Sequence, residues 1–117
     1  NIGLIEKLFW DMLEKACSLY KRAGADTLLS VNVSPTQIKD PLFAHKLLSA
    51  LTRYEFPAQM FEVEVTESVM IADADVARRM LLSLKKRGVR IALDDFGTGY
   101  SSLLLLRDLP IDKLKID

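Results

Sequence analysis

Ile5, Leu8, Phe9, Met12, Leu13, Ala16 and Tyr20 recur at three-to-four spacing between residues 4 and 20. That period predicts an amphipathic helix with one face turned to a core. Lys21 and Arg22 fall in its last turn, where cations suit the helix dipole, and Gly24 is placed to supply a left-handed cap. Residues 27–32 then read as a strand. Ser34-Pro35-Thr36-Gln37 opens a helical turn: serine to cap, proline at the first position, glutamine to complete a capping box. Asp40-Pro41 repeats the signal before a helix carrying Phe43, Leu47, Leu48 and Leu51. Residues 61–66 are a strand. A third helix carries Val76, Met80 and Leu84 and stops at Lys85-Lys86-Arg87-Gly88. Residues 89–94 form the next strand, 97–99 a glycine loop, 100–108 a short helix and 114–117 a final strand.

Strands and helices alternate at roughly 25–35 residues per unit, the length of a βαβ repeat. The class is α/β, with parallel strands joined by crossovers. Four strands are too few to close a barrel of the usual eight. The pattern therefore fits half a barrel or an open sheet.

Parallel strands covered on both faces are near-continuous apolar runs. These strands depart from that rule. Alternation puts Ser30 and Asn32 on one face of the first strand, and Glu62, Glu64 and Thr66 on one face of the second, against Phe61, Val63 and Val65. Ala92 and Asp94 share a face of the third, with Asp95 just beyond, and Lys113, Lys115 and Asp117 share a face of the fourth. A helix-covered face cannot easily host unpaired charge. The apolar faces should meet the helices and the polar faces a barrel interior, with Asn32, Glu64, Asp94 and Asp95 converging at the strands' C-terminal ends, where barrel chemistry sits.

Three carboxylates and an amide oxygen need a positive charge among them. An all-oxygen set suits Mg²⁺ or Mn²⁺ better than zinc. Adjacent aspartates, one able to bridge, suit two metals about 3.5–4 Å apart. Lys115 adds a positive group at the same rim. Two metals plus a lysine are the parts for attack of an activated water on a phosphodiester. Each residue also has a plainer reading. Asp94-Asp95 before glycine can be a turn, Glu64 an edge charge, Asn32 a cap and Lys115 a solvated strand lysine. Agreement at four strand ends favours the site. His45 is an ordinary helix histidine, and Cys17 packs near the first helix's apolar stripe.

Composition narrows the field further. The 117 residues carry 16 basic and 16 acidic side chains, a formal charge of zero. Nothing there favours charge-driven binding to a nucleic-acid polymer or a membrane surface. No apolar run reaches the ~20 residues of a spanning helix. A single cysteine excludes an internal disulfide framework and fits the cytoplasm. The chain opens Asn1-Ile2-Gly3 and stops within its last strand-like run, so both ends look cut, and a piece of a larger domain is expected.

Val31-Asn32-Val33-Ser34, Glu62-Val63-Glu64-Val65-Thr66-Glu67-Ser68, Asp94-Asp95-Phe96-Gly97-Thr98-Gly99-Tyr100-Ser101-Ser102 and Leu109-Pro110-Ile111-Asp112-Lys113-Leu114-Lys115-Ile116-Asp117 resemble, in order, successive motifs of the EAL-type cyclic di-GMP phosphodiesterases. The resemblance covers the whole chain. It implies a (β/α)₈ TIM-like barrel, present here as a partial barrel of about four βα units. Residues 1–117 would be the central portion of one EAL domain, with no second domain. It implies metal-dependent hydrolysis of cyclic di-GMP to the linear dinucleotide by the parent. Asn32, Glu64, Asp94 and Asp95 would be metal ligands for Mg²⁺ or Mn²⁺, with Asp94 shared between two ions. Lys115 would contact the attacking water, and Glu67 would hold the loop from Asp94 to Ser102. Asp117 matches a motif position of less defined role.

The family's Glu-Ala-Leu signature and its later strands are absent from this chain, so this segment alone is expected to be inactive and prone to associate. The resemblance further implies a homodimer through the EAL domain, in bacterial second-messenger signalling, with any membrane anchor elsewhere in the parent. The competing expectation is a receptor that binds cyclic di-GMP without cutting it.

Overall fold

The computed structural model describes residues 2–23, 28–96 and 111–116, with the ends of several elements described by backbone alone. Helix α1 (Ile2–Ala23) leads to β1 (Leu29–Asn32), α2 (Pro35–Lys39) and α3 (Phe43–Arg53). A 3₁₀ turn at Ala58–Met60 precedes β2 (Phe61–Thr66), α4 (Glu67–Ala72), α5 (Ala74–Lys86), β3 (Arg90–Phe96) and β4 (Lys113–Ile116). The four strands lie in sequence order, β1-β2-β3-β4, in three parallel pairings. This is the α/β partial barrel expected. The 97–99 loop, the 100–108 helix and Asp117 lie outside the described residues.

Local chemistry accounts for the element bounds. Ser34 Oγ accepts from the Gln37 N–H at 3.3 Å, and Gln37 Oε1 accepts from the Ser34 N–H at 2.9 Å. This is the reciprocal capping box. Asp40 Oδ1 accepts from the Leu42 N–H at 2.9 Å just ahead of α3. That backbone hydrogen bond, with the Lys46 ammonium, holds the Asp40 carboxyl below its ordinary range despite some desolvation. Gly88 takes φ +97° after α5, and its N–H donates to the Lys85 carbonyl at 3.0 Å. A side chain is strained at that angle, so glycine ends the helix. One helix was not expected. Thr66 caps a separate short α4, accepting from the Val69 N–H at 3.3 Å, and Asp73 caps α5 by accepting from the Val76 N–H at 3.4 Å.

Val31, Val63, Val65, Ile91 and Leu93 line one sheet face and are buried against Ile38, Leu47, Met70, Leu81 and Leu84 of the helices. Each such side chain contributes roughly 1.5–3 kcal/mol by leaving water. Phe43 joins the layers, its ring 5.9 Å from Phe9 and 5.8 Å from Trp10. Cys17 is buried, and desolvation pushes its thiol up to about 11, which leaves it an inert packing group.

Helix α1 departs from the expected face. Leu13 and Cys17 are its buried positions, with Phe9, Trp10 and Tyr20 packed partly against the core. Ile5, Leu8 and Met12, expected inside, are 53 to 65% exposed, in a stripe with Leu4 and Leu19. The helix is apolar over more than one face, and its packing against the core, including Phe43 of α3 and Phe56, covers one of them. Such a stripe, beside open sheet edges among the described residues, favours association. The 117-residue chain alone is expected to elute in size-exclusion chromatography with light scattering as species larger than a monomer. Leu8→Lys with Met12→Lys should shift it toward monomer. A monodisperse wild-type monomer would contradict this.

Candidate metal and phosphodiester site

Register places the polar residues. Asn32 is the Cα partner of Glu64, Glu64 of Ala92, and Thr66 of Asp94. Paired residues on parallel strands share a face, so Asn32, Glu64, Thr66, Asp94 and Lys113 all lie on the face opposite the valine-rich core. Asn32 and Glu64 are one strand apart, about 4.8 Å between backbones. Asp94 is one strand further and two residues up, about 8 Å from Glu64 by Cα. Asn32 ends β1, while Glu64 and Asp94 each lie two residues before the end of β2 and β3, in the C-terminal half of the strand. The Val33 N–H donates to the Glu64 carbonyl at 3.0 Å, which carries the β1–β2 pairing past Asn32. Asn32 is exposed, whereas Glu64 and Asp94 are half-buried. Between Glu64 and Lys113, Ala92 is fully buried, so the middle of this face is filled by a small side chain.

The β3–β4 pairing contains a register shift. Leu93 pairs with Leu114 and Phe96 with Ile116, so Asp94 and Asp95 together face the single residue Lys115. This is a β-bulge, a feature common beside active sites. Strict alternation would send consecutive aspartates to opposite faces. The backbone of β3 carries its extra residue at the one place where the sequence has two aspartates in a row. Sequence periodicity alone gave no sign of it.

The described donors are an amide and two carboxylates, an oxygen-only set that fits a hard divalent cation rather than zinc. Among the described residues no group of three or more His, Cys, Asp or Glu gathers. The described part of the expected set contains two such residues, Glu64 and Asp94, beside the amide of Asn32. Glu67, 3% exposed, begins α4 directly after β2, and the loop assigned to it lies outside the described residues. His45 is exposed on α3, away from the strand ends.

Two features were missed from sequence. Glu62, on the polar face, is 2% exposed, and its Oε1 accepts from the Ser30 hydroxyl at 2.9 Å, one register step below Asn32 and Glu64. Opposite it on β3, Arg90 donates through Nε to the Gln59 carbonyl at 2.9 Å. The second feature is Asp112. Its Oδ2 accepts from the Ile91 N–H at 2.7 Å and its Oδ1 meets the Lys85 ammonium. Burial pushes the Asp112 carboxyl up. The hydrogen bonds from Lys85 and Ile91 and the charges of Lys85 and Arg90 outweigh it and hold the carboxyl below its ordinary range. A depressed carboxyl contributes stability above its unfolded value, 3.8, that is lost as pH falls below it. The destabilisation caused by Asp112→Ala in thermal melts should therefore shrink between about pH 6 and about pH 3. A pH-independent difference would contradict the pairing.

The family model for the EAL domain matches residues 1–117. The chain is 42% identical over 89 residues to the cyclic di-GMP phosphodiesterase PA2567 of Pseudomonas aeruginosa, covering 76% of this chain and 15% of that protein. It superposes on the PaMucR phosphodiesterase in a cyclic di-GMP complex with TM-score 0.90 and 40% identity, covering 99% of this chain and 52% of that one. A calcium and cyclic di-GMP complex of Klebsiella pneumoniae BlrP1 matches with TM-score 0.77 and 30% identity, over 92% of this chain and 28% of that one. The chain thus spans about half of the MucR chain and a small part of the curated phosphodiesterase. No described helix is long and apolar enough to cross a membrane. With a match along its full length, the chain belongs to the EAL domain family.

Proposed function

We propose that the parent protein hydrolyses cyclic di-GMP to the linear dinucleotide in the presence of Mg²⁺ or Mn²⁺, using this chain as the central portion of its EAL domain. The observation that carries this reading is the register of Asn32, Glu64 and Asp94 on one sheet face, in the C-terminal halves of successive strands. Membership of a family whose relatives bind cyclic di-GMP supports it. Asn32, Glu64, Asp94 and Asp95 would hold two cations, with Asp94 shared. When bound, divalent cations make water acidic enough to react near neutral pH and offset charge on the phosphate.

The chain's own residues do the rest. The strand backbones hold the oxygen donors in place before the ions and substrate arrive, which limits reorganisation during reaction. Lys115, from its place on β4 opposite the two aspartates, would orient the attacking water and stabilise negative charge on the phosphoryl oxygens. Glu67 would fix the loop that follows β3. Asp117, by the resemblance alone, would be a further motif residue of less defined role. In the parent the domain would act in the cytoplasm as a homodimer.

The test is to incubate the full-length protein with cyclic di-GMP and Mg²⁺ or Mn²⁺ and to follow the linear dinucleotide by chromatography. Hydrolysis that EDTA abolishes is expected. Binding without hydrolysis would make the protein a receptor, and neither binding nor hydrolysis would reject both readings.

A further inference from the structure

We propose that Asp112 is a positioning residue, clamping the start of β4 to β3 and α5 so that Lys115 stands opposite the Asp94–Asp95 bulge. The inference rests on the role given above to Lys115. Asp112 answers both backbone polar groups of one residue. Its own N–H donates to the Ile91 carbonyl at 2.8 Å, and its carboxylate Oδ2 accepts from the Ile91 N–H at 2.7 Å. The side chain thus supplies the acceptor that a neighbouring strand's carbonyl would supply in an ordinary ladder. The other carboxylate oxygen meets the Lys85 ammonium in the last turn of α5. One carboxylate therefore joins three elements: the end of a helix, the start of β3 and the entry to β4.

The register above the clamp is short. Lys113 pairs with Ala92 and Leu114 with Leu93, and then the bulge interrupts the ladder before Ile116 meets Phe96. β4 has four residues. A one-residue slip in a strand moves every side chain to the opposite face. A slip here would replace Lys115 with Leu114 or Ile116 opposite the aspartates. The regular pairings of so short a strand, broken by a bulge, specify register weakly. The clamp adds a charge-assisted anchor that any slip would break, because Ile91 and Lys85 would no longer meet the same side chain. Asp112 lies three residues before Lys115 and is assigned no contact with substrate or ion.

The experiment compares the wild-type full-length protein with Asp112→Ala and Asp112→Asn. Its readouts are kcat and KM for cyclic di-GMP, thermal stability, and hydrogen exchange at residues 113–116. Asp112→Ala is expected to lower kcat about 10- to 100-fold, the cost of misplacing a reacting group by about an ångström. KM should stay within about threefold, and exchange at residues 113–116 should accelerate. Asp112→Asn keeps an acceptor for the Ile91 N–H and should recover most of kcat and of the exchange protection. Unchanged kcat and exchange in Asp112→Ala would overturn the proposal, as would equal losses in both variants without any change in exchange.

If Asp112→Ala does not fold, wild type decides. Amides of residues 113–116 protected like those of β2 support the clamp, and amides exchanging like exposed turns overturn it. A wild-type protein that does not hydrolyse cyclic di-GMP would refute the function proposed above, while the exchange comparison would still decide the clamp.

Discussion

Glu64→Ala in the full-length protein is expected to cut hydrolysis of cyclic di-GMP by about 10³-fold or more while leaving the fold intact. Loss of a single electrostatic stabiliser costs an enzyme about 10²–10³-fold. Glu64 would do more, because it would hold the charge on which the others depend. Its side chain lies on the polar face of β2, whereas Val63 and Val65, fully buried, form the core on the other. Truncation there opens no cavity among packed hydrophobic groups. Its melting temperature should therefore stay within a few degrees of wild type, which separates loss of chemistry from loss of structure. Asp94→Ala should behave alike, since Asp94 shares that face one strand away. Both are measured as kcat/KM on purified protein with saturating Mn²⁺. Wild-type turnover in either variant would refute the assignment.

Phe43→Ala is expected to destabilise the domain by about 3–5 kcal/mol. Phe43 is 2% exposed, begins α3, and packs its ring on both Phe9 and Trp10 of α1. Its removal takes apolar surface out of the core and leaves a cavity where two helices meet. Against a typical total of about 5–15 kcal/mol, the loss would leave a marginal domain. Phe43→Leu keeps much of the volume and should cost less than about 1.5 kcal/mol. The check is urea denaturation of the parent, following the transition of the EAL domain. A Phe43→Ala cost below about 1 kcal/mol would show that the α1–α3 contact does not stabilise the domain.

The parts of this structure that were readable from sequence depend on near neighbours or on a clean period. The capping box of Ser34 and Gln37 closes over three residues, and the glycine stop after α5 is local. Alternation in β2 separates Glu62, Glu64 and Thr66 from Phe61, Val63 and Val65, and the register bears out that separation. What escaped depends on distant partners. Leu8 and Leu13 are equally apolar, and the tertiary packing of α1 against the core exposes one and buries the other. Asp112 reads as a turn aspartate, since its partners Ile91 and Lys85 are 21 and 27 residues away. The bulge at Asp94 and Asp95 is a mismatch between two strands, and neither strand's pattern contains it. The short α4 was not anticipated: its six residues are too few to show a helical period, and what marks it is the Thr66 cap on the Val69 N–H.

The candidate site was legible to a similar degree. Residue types and strand ends pointed to oxygen donors for a hard cation. The roles proposed for Lys115 and Glu67 rest on the resemblance alone. The buried Glu62, held by the Ser30 hydroxyl, was not anticipated, because burial of a carboxylate on the polar face depends on how the strands pack together.

Crystals of the full-length protein with Mn²⁺ and cyclic di-GMP, with diffraction recorded at the manganese edge, test the central claim most directly. Two anomalous peaks are predicted, bounded by Asn32, Glu64, Asp94 and Asp95, with Asp94 touching both. Manganese bound elsewhere, or cyclic di-GMP seated with those four side chains turned away from every ion, would contradict it.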